Sequence, residues 1–231
     1  MLFRSADLIV LSPGVPADLD EFEQARKRSV PVIGDLELAS WFLTGDIIGI
    51  TGSNGKTTTT ALTGHILKSC GIPVQVGGNI GTPPASMVNT SADQQWNVLE
   101  LSSFQLETTD TFHARIGAAL NVTSDHLDRH GTFERYAEAK ARLFVNQLAN
   151  DFRVLNADDE RVRTFGAHHR GRTITFGLSA EADVRAEDVE LLETGGARFR
   201  AMGTKFESPL EGRHGVSNVL AGIAVAHVLG I

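Results

Sequence analysis

The sequence of 231 residues holds a single cysteine, Cys70, so no internal disulfide framework can form and a reducing compartment suits it. It also lacks a surplus of positive charge: 21 Lys and Arg stand against 28 Asp and Glu, a formal net charge of −7. That balance argues against nucleic acid as the main partner, because phosphate backbones are bound by basic surfaces. A small anionic ligand is still allowed, held locally by backbone N–H groups and a few lysines. No apolar run reaches membrane length, and the N-terminal stretch through Gly14 has no small-residue cleavage site. The expectation is a cytoplasmic monomer with no membrane and no nucleic-acid partner. Internal repeats and low-complexity segments are missing too.

What is present is an alternation of short apolar runs with helical stretches, the pattern of βαβ units around a parallel sheet. Leu8–Leu11 reads as a buried strand, followed by a helix from about Asp20 to Arg28. Val32–Gly34 is a second short strand with a helix through Trp41. Thr44-Gly45-Asp46 breaks the pattern and sets a domain boundary, with residues 1–44 as the end of one domain and 45–231 as a nearly complete second one. Further strands are expected over Ile47–Ile50, Pro73–Val76, Asn97–Leu101, Gly117–Val122 and Arg153–Leu155, and antiparallel strands between Thr173 and Pro209. An apolar helix over Val219–Ile231 runs into the terminus, and the first strand has little before it to pair with. Both ends read as those of a fragment.

Gly49-Ile50-Thr51-Gly52-Ser53-Asn54-Gly55-Lys56-Thr57 follows a β-type run and opens a helix, the context of a phosphate-binding loop. Glycines let the backbone approach phosphate oxygens, and the first helix amides point at the anion. Lys56 supplies positive charge, and the Thr57 hydroxyl suits Mg²⁺, an oxygen-seeking cation. Ile50 stands where the general motif has its first glycine.

In open α/β sheets ligands sit at the carboxyl ends of strands. There the sequence places Glu100 followed by Ser102 to Gln105, then Asp125 and His126, and Gly77-Gly78-Asn79. Taken singly, Glu100 is as well explained by an ion pair as by a metal, and His126 by a turn hydrogen bond. Their joint occurrence at the edge that carries the phosphate loop favours function. On the helix expected over Thr132–Val145, Lys140 falls on one stripe with Phe133, Ala137 and Phe144, in the middle of the apolar face. Either it snorkels to water, or it is needed in the interior. There its amine would have a depressed pKa and could take up CO₂ as a metal-binding carbamate.

The strings Thr51–Thr57, Val76–Gly81, Leu99–Glu107 and Asn121–Asp128 resemble those of the Mur ligase family, in the same order and over nearly the whole chain. Leu101–Glu107 and Leu11–Gly14 are most similar to the branch that joins D-glutamate to UDP-N-acetylmuramoyl-L-alanine in peptidoglycan synthesis. The resemblance implies an α/β fold: a P-loop parallel-sheet ATPase domain preceded by the end of a Rossmann-like domain, with a third domain absent. It implies ATP and two Mg²⁺ as cofactors and an acyl-phosphate intermediate. Carried onto this sequence, Gly52, Ser53, Asn54, Gly55, Lys56, Thr57, Thr58 and Asn218 would bind the nucleotide. Thr57 and Glu100 would serve one Mg²⁺, and His126 with a carbamylated Lys140 the second. Asn79, Ser102, Gln105 and His126 would contact the muramoyl substrate, and Ser12 and Gly14 its uridine diphosphate end. Lys56, His126 and Lys140 would be the catalytic set. Gly215 departs from the family pattern, which commonly has asparagine after the histidine at this point.

Overall fold

The computed structural model describes residues 5–167, 170–193 and 195–231. Its centre is a seven-stranded, wholly parallel sheet of order β4-β5-β3-β6-β7-β8-β9. The strands are β3 (Asp46–Thr51), β4 (Val74–Gly78), β5 (Trp96–Glu100), β6 (Ile116–Ala119), β7 (Phe152–Asn156), β8 (Arg172–Gly177) and β9 (Val184–Arg185). Neighbouring residues on these strands feed two separate cores, because successive side chains point to opposite faces. Ile48, Ile50, Val98, Leu120 and Val154 pack with α3 (Lys56–Ser69) and α9 (Gly212–Val228). Ile47, Leu99, Ala119 and Leu155 pack on the other side with α2 (Asp35–Ser40), α5 (Ser103–Leu106) and α7 (Phe133–Ala141). A sheet covered on both faces explains why its central strands read as unbroken apolar runs.

Before this sheet, β1 (Ile9–Leu11) and β2 (Val32–Gly34) form a two-stranded parallel sheet packed on α1 (Asp20–Arg26). The first strand is only half buried: Ile9 and Leu11 are covered, whereas Val10 is 41% exposed on the opposite face. The short helices α4 (Pro84–Met87), α6 (Leu127–His130) and α8 (Glu160–Arg163) occupy loops that carry no helical period in the sequence.

Three expectations change. The stretch from Thr173 holds two parallel strands, β8 and β9, and turns antiparallel only in the sheet of β10 (Glu187–Leu191), β11 (Ala197–Ala201) and β12 (Thr204–Ser208). The sequence of β8, Arg-Thr-Ile-Thr-Phe-Gly, alternates polar and apolar residues as an antiparallel strand would, but its burial rises from an exposed start to a buried end. The last helix starts at Gly212, because its first turns are polar and only the later ones carry the apolar run. The helix around Lys140 ends at Ala141 and tightens into a 3₁₀ turn over Arg142–Phe144.

Candidate functional site

Registry between strands assembles the site. Glu100, the last residue of β5, pairs with Gly78 of β4 on one side and Ile50 of β3 on the other. Thr51 of β3 pairs with Ala119 of β6. The loops leaving β3, β4, β5 and β6 therefore open side by side at the carboxyl edge.

After β3 the chain makes a glycine-rich turn, and Gly55 caps α3 at φ +82°, a left-handed conformation that glycine adopts without steric penalty. A Cβ there would lie 2.3 Å from Asn218 Oδ1, so Asn218 of α9 packs directly on the loop. Thr58 is half-buried in the first turn of α3. The opening amides of α3 are those that a helix leaves without an intrahelical partner. The Ser53 and Asn54 amides are engaged within the protein, on Asn121 O and Asn121 Oδ1 at 2.9 and 2.8 Å.

Lys56 Nζ donates to the carbonyls of Gly52 and Ser53, both at 2.9 Å. Lys140, 1% exposed, donates its Nζ to the same Gly52 carbonyl at 2.8 Å and lies 4.5 Å over the Tyr136 ring. Lys140 is thus an interior lysine and does not snorkel. Burial, reinforced by the Lys56 charge and opposed by Asp125, lowers its pKa to about 7. Burial also pushes Lys56 down, against the attraction of Glu100 and Asp125.

Glu100 is buried, and its carboxylate accepts from Thr57 Oγ1 at 2.7 Å and Asn79 Nδ2 at 3.2 Å. His126 holds φ +50°, a conformation non-glycine residues seldom adopt and one often found at functional sites. Its ring lies tilted against Phe104, centroids 5.0 Å apart, and edge-on to Tyr136 at 6.3 Å, while its Nε2 lies 3.5 Å from Asp125. Ser102 and Gln105 form a reciprocal capping box on α5, so their polar atoms already have partners. Ser12 and Gly14 lie on an exposed turn after β1, tied to α6 where Arg129 Nη2 donates to Val15 O at 3.0 Å. At Gly215 an added Cβ would meet the Leu210 carbonyl oxygen at 2.7 Å, so the departure from the family pattern coincides with a place that has no room for a side chain.

Sequence reasoning missed Tyr136, one helical turn before Lys140, whose hydroxyl meets Ser53 Oγ at 3.0 Å. It also missed His130, buried between Ser103 (Nε2 to Oγ 2.9 Å) and the rings of Phe104 and Tyr136. Burial lowers its pKa, with Glu107 opposing.

The oxygen pair of Thr57 and Glu100 fits Mg²⁺, which takes one or two protein oxygens beside phosphate. Among the described residues no group of three or more His, Cys, Asp or Glu converges as a ready-made metal cage. The Lys140 amine, as it stands, is not a Mg²⁺ ligand.

A parallel sheet with a phosphate loop and a carboxylate at its carboxyl edge defines an α/β nucleotide-binding domain. The family profile described as Mur ligase middle domain matches residues 50–226, and the chain belongs to the Mur ligase family. It is 52% identical, over its whole length, to the UDP-N-acetylmuramoylalanine–D-glutamate ligase of Solibacter usitatus (strain Ellin6076), covering 52% of that protein. It is 49% identical over 96% of its length to the same-named ligase of Koribacter versatilis (strain Ellin345), covering 50% of it. The chain thus spans about half the length of these curated relatives. Among solved structures, the UDP-N-acetylmuramate:L-alanyl-gamma-D-glutamyl-meso-diaminopimelate ligase from Neisseria meningitides superposes with TM-score 0.69 at 20% identity, over 98% of this chain and 75% of that one. MurF ligase from Thermotoga maritima, solved in complex with ADP, gives 0.68 at 23% identity, over 97% of this chain and 60% of that one. These two likenesses concern the fold. No described helix is long and apolar enough to cross a membrane.

Proposed function

We propose that the chain is the nucleotide-binding, carboxylate-activating part of a cytoplasmic, monomeric, ATP-dependent ligase that adds D-glutamate to UDP-N-acetylmuramoyl-L-alanine. The observation that carries this reading is the convergence of Lys56, Thr57, Glu100 and Lys140 on one loop at the sheet edge. Residues 45–231 form the nucleotide domain on this reading, and residues 1–44 end a domain that takes the uridine diphosphate, with Ser12 and Gly14 at its turn.

A carboxylate is a poor electrophile, so it is activated by accepting the γ-phosphoryl group of ATP as an acyl phosphate. The amine of D-glutamate then attacks the acyl carbon, forming the amide C–N bond as the C–O bond to phosphate breaks and inorganic phosphate leaves. Phosphoryl transfer depends on positioning and charge neutralisation. Lys56 leaves the Gly52 and Ser53 carbonyls to meet the terminal phosphates, and the open amides of α3 hold the remainder. Asn218 keeps the loop seated from the side of the nucleoside. Thr57 and Glu100 would hold one Mg²⁺, which would supply shielding of the charge on the phosphates. A second Mg²⁺ would take His126 and the carbamate of Lys140, whose lowered pKa makes the neutral amine accessible for reaction with CO₂ near neutrality. Asn79, Ser102, Gln105 and His126 orient the muramoyl end.

The test is phosphate release by the full-length ligase. Release is expected only when ATP, Mg²⁺, UDP-N-acetylmuramoyl-L-alanine and D-glutamate are all present. Turnover with a different amino acid in place of D-glutamate overturns the substrate assignment, and failure of the protein to bind ATP or ADP overturns the nucleotide site.

A further inference from the structure

The phosphate loop is held on one flank by the loop that leaves β6, and the contact runs largely through one side chain. Asn121 Oδ1 accepts the Asn54 N–H at 2.8 Å, and Asn121 Nδ2 donates back to the Asn54 carbonyl at 3.0 Å. Its own main-chain oxygen accepts from the Ser53 N–H at 2.9 Å. One carboxamide therefore satisfies both backbone groups of the residue at the apex of the loop, as a neighbouring strand would. The contacts beside it point the same way: Thr123 N donates to Ser53 Oγ at 3.0 Å, and Leu120 N to the Thr51 carbonyl at 3.0 Å.

A glycine-flanked loop has many conformations to lose, and ordering it at the moment of binding weakens affinity. A carboxamide carries an acceptor and a donor on one planar end and can so bridge an N–H and a C=O of the same residue. Asn121 meets the loop through the backbone of Ser53 and Asn54, so it is placed to preset the loop's conformation.

We infer that Asn121 is a positioning residue that holds the phosphate loop in its binding conformation, and so determines nucleotide affinity. This rests on the reading of residues 52–58 as the nucleotide site. Asn121→Ala removes both bonds. Asn121→Asp keeps the acceptor for the Asn54 N–H but sets an oxygen against the Asn54 carbonyl, and it carries the test if the alanine variant does not fold. In the full-length ligase, either variant is expected to raise KM for ATP and Kd for ADP about tenfold. KM for the muramoyl nucleotide should stay within about twofold and the melting temperature within a few degrees. Thr123→Val, which deletes only a long contact of 3.4 Å to the Asn54 side chain, should leave ADP affinity unchanged. A folded Asn121 variant that binds ADP as the parent does overturns the inference, and so does one that loses affinity for both substrates equally. A parent that binds no nucleotide at all overturns the underlying site instead.

Discussion

The two edges of the seven-stranded sheet each bury a charge, and they treat it in opposite ways. At the amino-terminal edge Glu37 of α2, 0% exposed, meets the loop that leads into β6. Its two oxygens accept from the backbone N–H groups of Asp110, Thr111 and Phe112, each at 2.9 Å, and from the Thr111 hydroxyl and Trp41 Nε1. Burial alone would raise its pKa, but these donors together bring it below the ordinary value. At the carboxyl edge Lys140 is as deeply buried, yet it has one carbonyl and the face of one ring as partners, beside a second lysine. Its charge is disfavoured. A charge that serves the architecture is fully hydrogen-bonded, whereas one left short of partners retains free energy that chemistry can draw on.

The largest expected effect follows from removing the well-partnered charge. Glu37→Ala removes a buried carboxylate from three N–H groups, the one of Phe112 buried, and should destabilise the fold by about 3–5 kcal/mol, read as the shift of the urea midpoint. Glu37→Gln keeps the shape and part of the bonding and should lose less. Because the folded-state pKa of Glu37 is depressed, its contribution is present above the unfolded carboxylate value and declines as pH falls below about 4. In Glu37→Gln that acid-side decline should be shallower. An alanine variant with the parent's midpoint would remove the contrast between the two edges.

Lys140 tests the other half. Its folded pKa of about 7 lies below the unfolded value of about 10, so between these limits the unfolded chain binds more protons. Stability should therefore rise as pH increases from 7 towards 10, and the burial of the charged form should weigh against folding below 7. Lys140→Met, apolar and similar in shape, should flatten that rise and stabilise the protein at pH 6 by roughly 1–3 kcal/mol, an order-of-magnitude figure. In the full-length ligase the same variant should abolish most turnover. A Lys140→Met protein that is less stable than the parent at pH 6 would place Lys140 with Glu37 as an architectural charge.

The contrast also explains what was legible in the sequence. Lys140 stood out because it is a lone charge on a helical stripe, and Lys56, Thr57, Glu100 and His126 because they follow strands and lie near one another in the motif. The parallel sheet itself was readable, since a strand covered on both faces leaves an unbroken apolar run. Glu37 left no such mark: it looks like any acidic residue in the first turn of a short helix, and most of its partners are groups more than seventy residues away. Asn121 opens one of the strings that carry the family resemblance, but its hold on the loop was not legible, because bonds to main chain impose no residue type on the partner. The helices α4, α6 and α8 are too short to establish a period. The start of β8 misled because it is exposed at the sheet's flank, so polar residues are tolerated there in a parallel strand.

Ser102 lies between the two extremes and carries the smallest effect. Its hydroxyl accepts the Gln105 N–H at 3.2 Å, and Gln105 Oε1 accepts from the Ser102 N–H and hydroxyl, each at 3.1 Å. This box caps α5, which follows directly on Glu100 and Leu101, so the sequence's assignment of both residues to substrate competes with a purely structural use. A serine oxygen has two lone pairs, so the two roles are compatible. Ser102→Ala should cost about 1 kcal/mol of stability through the lost cap, and Ser102→Thr should recover most of it. If Ser102 also touches the muramoyl nucleotide, the alanine variant of the full-length ligase will raise KM for that substrate severalfold and leave KM for ATP unchanged. A variant that loses the capping energy but keeps both KM values would make Ser102 a residue of the same kind as Glu37, placed at the reactive edge but serving only the backbone beside it.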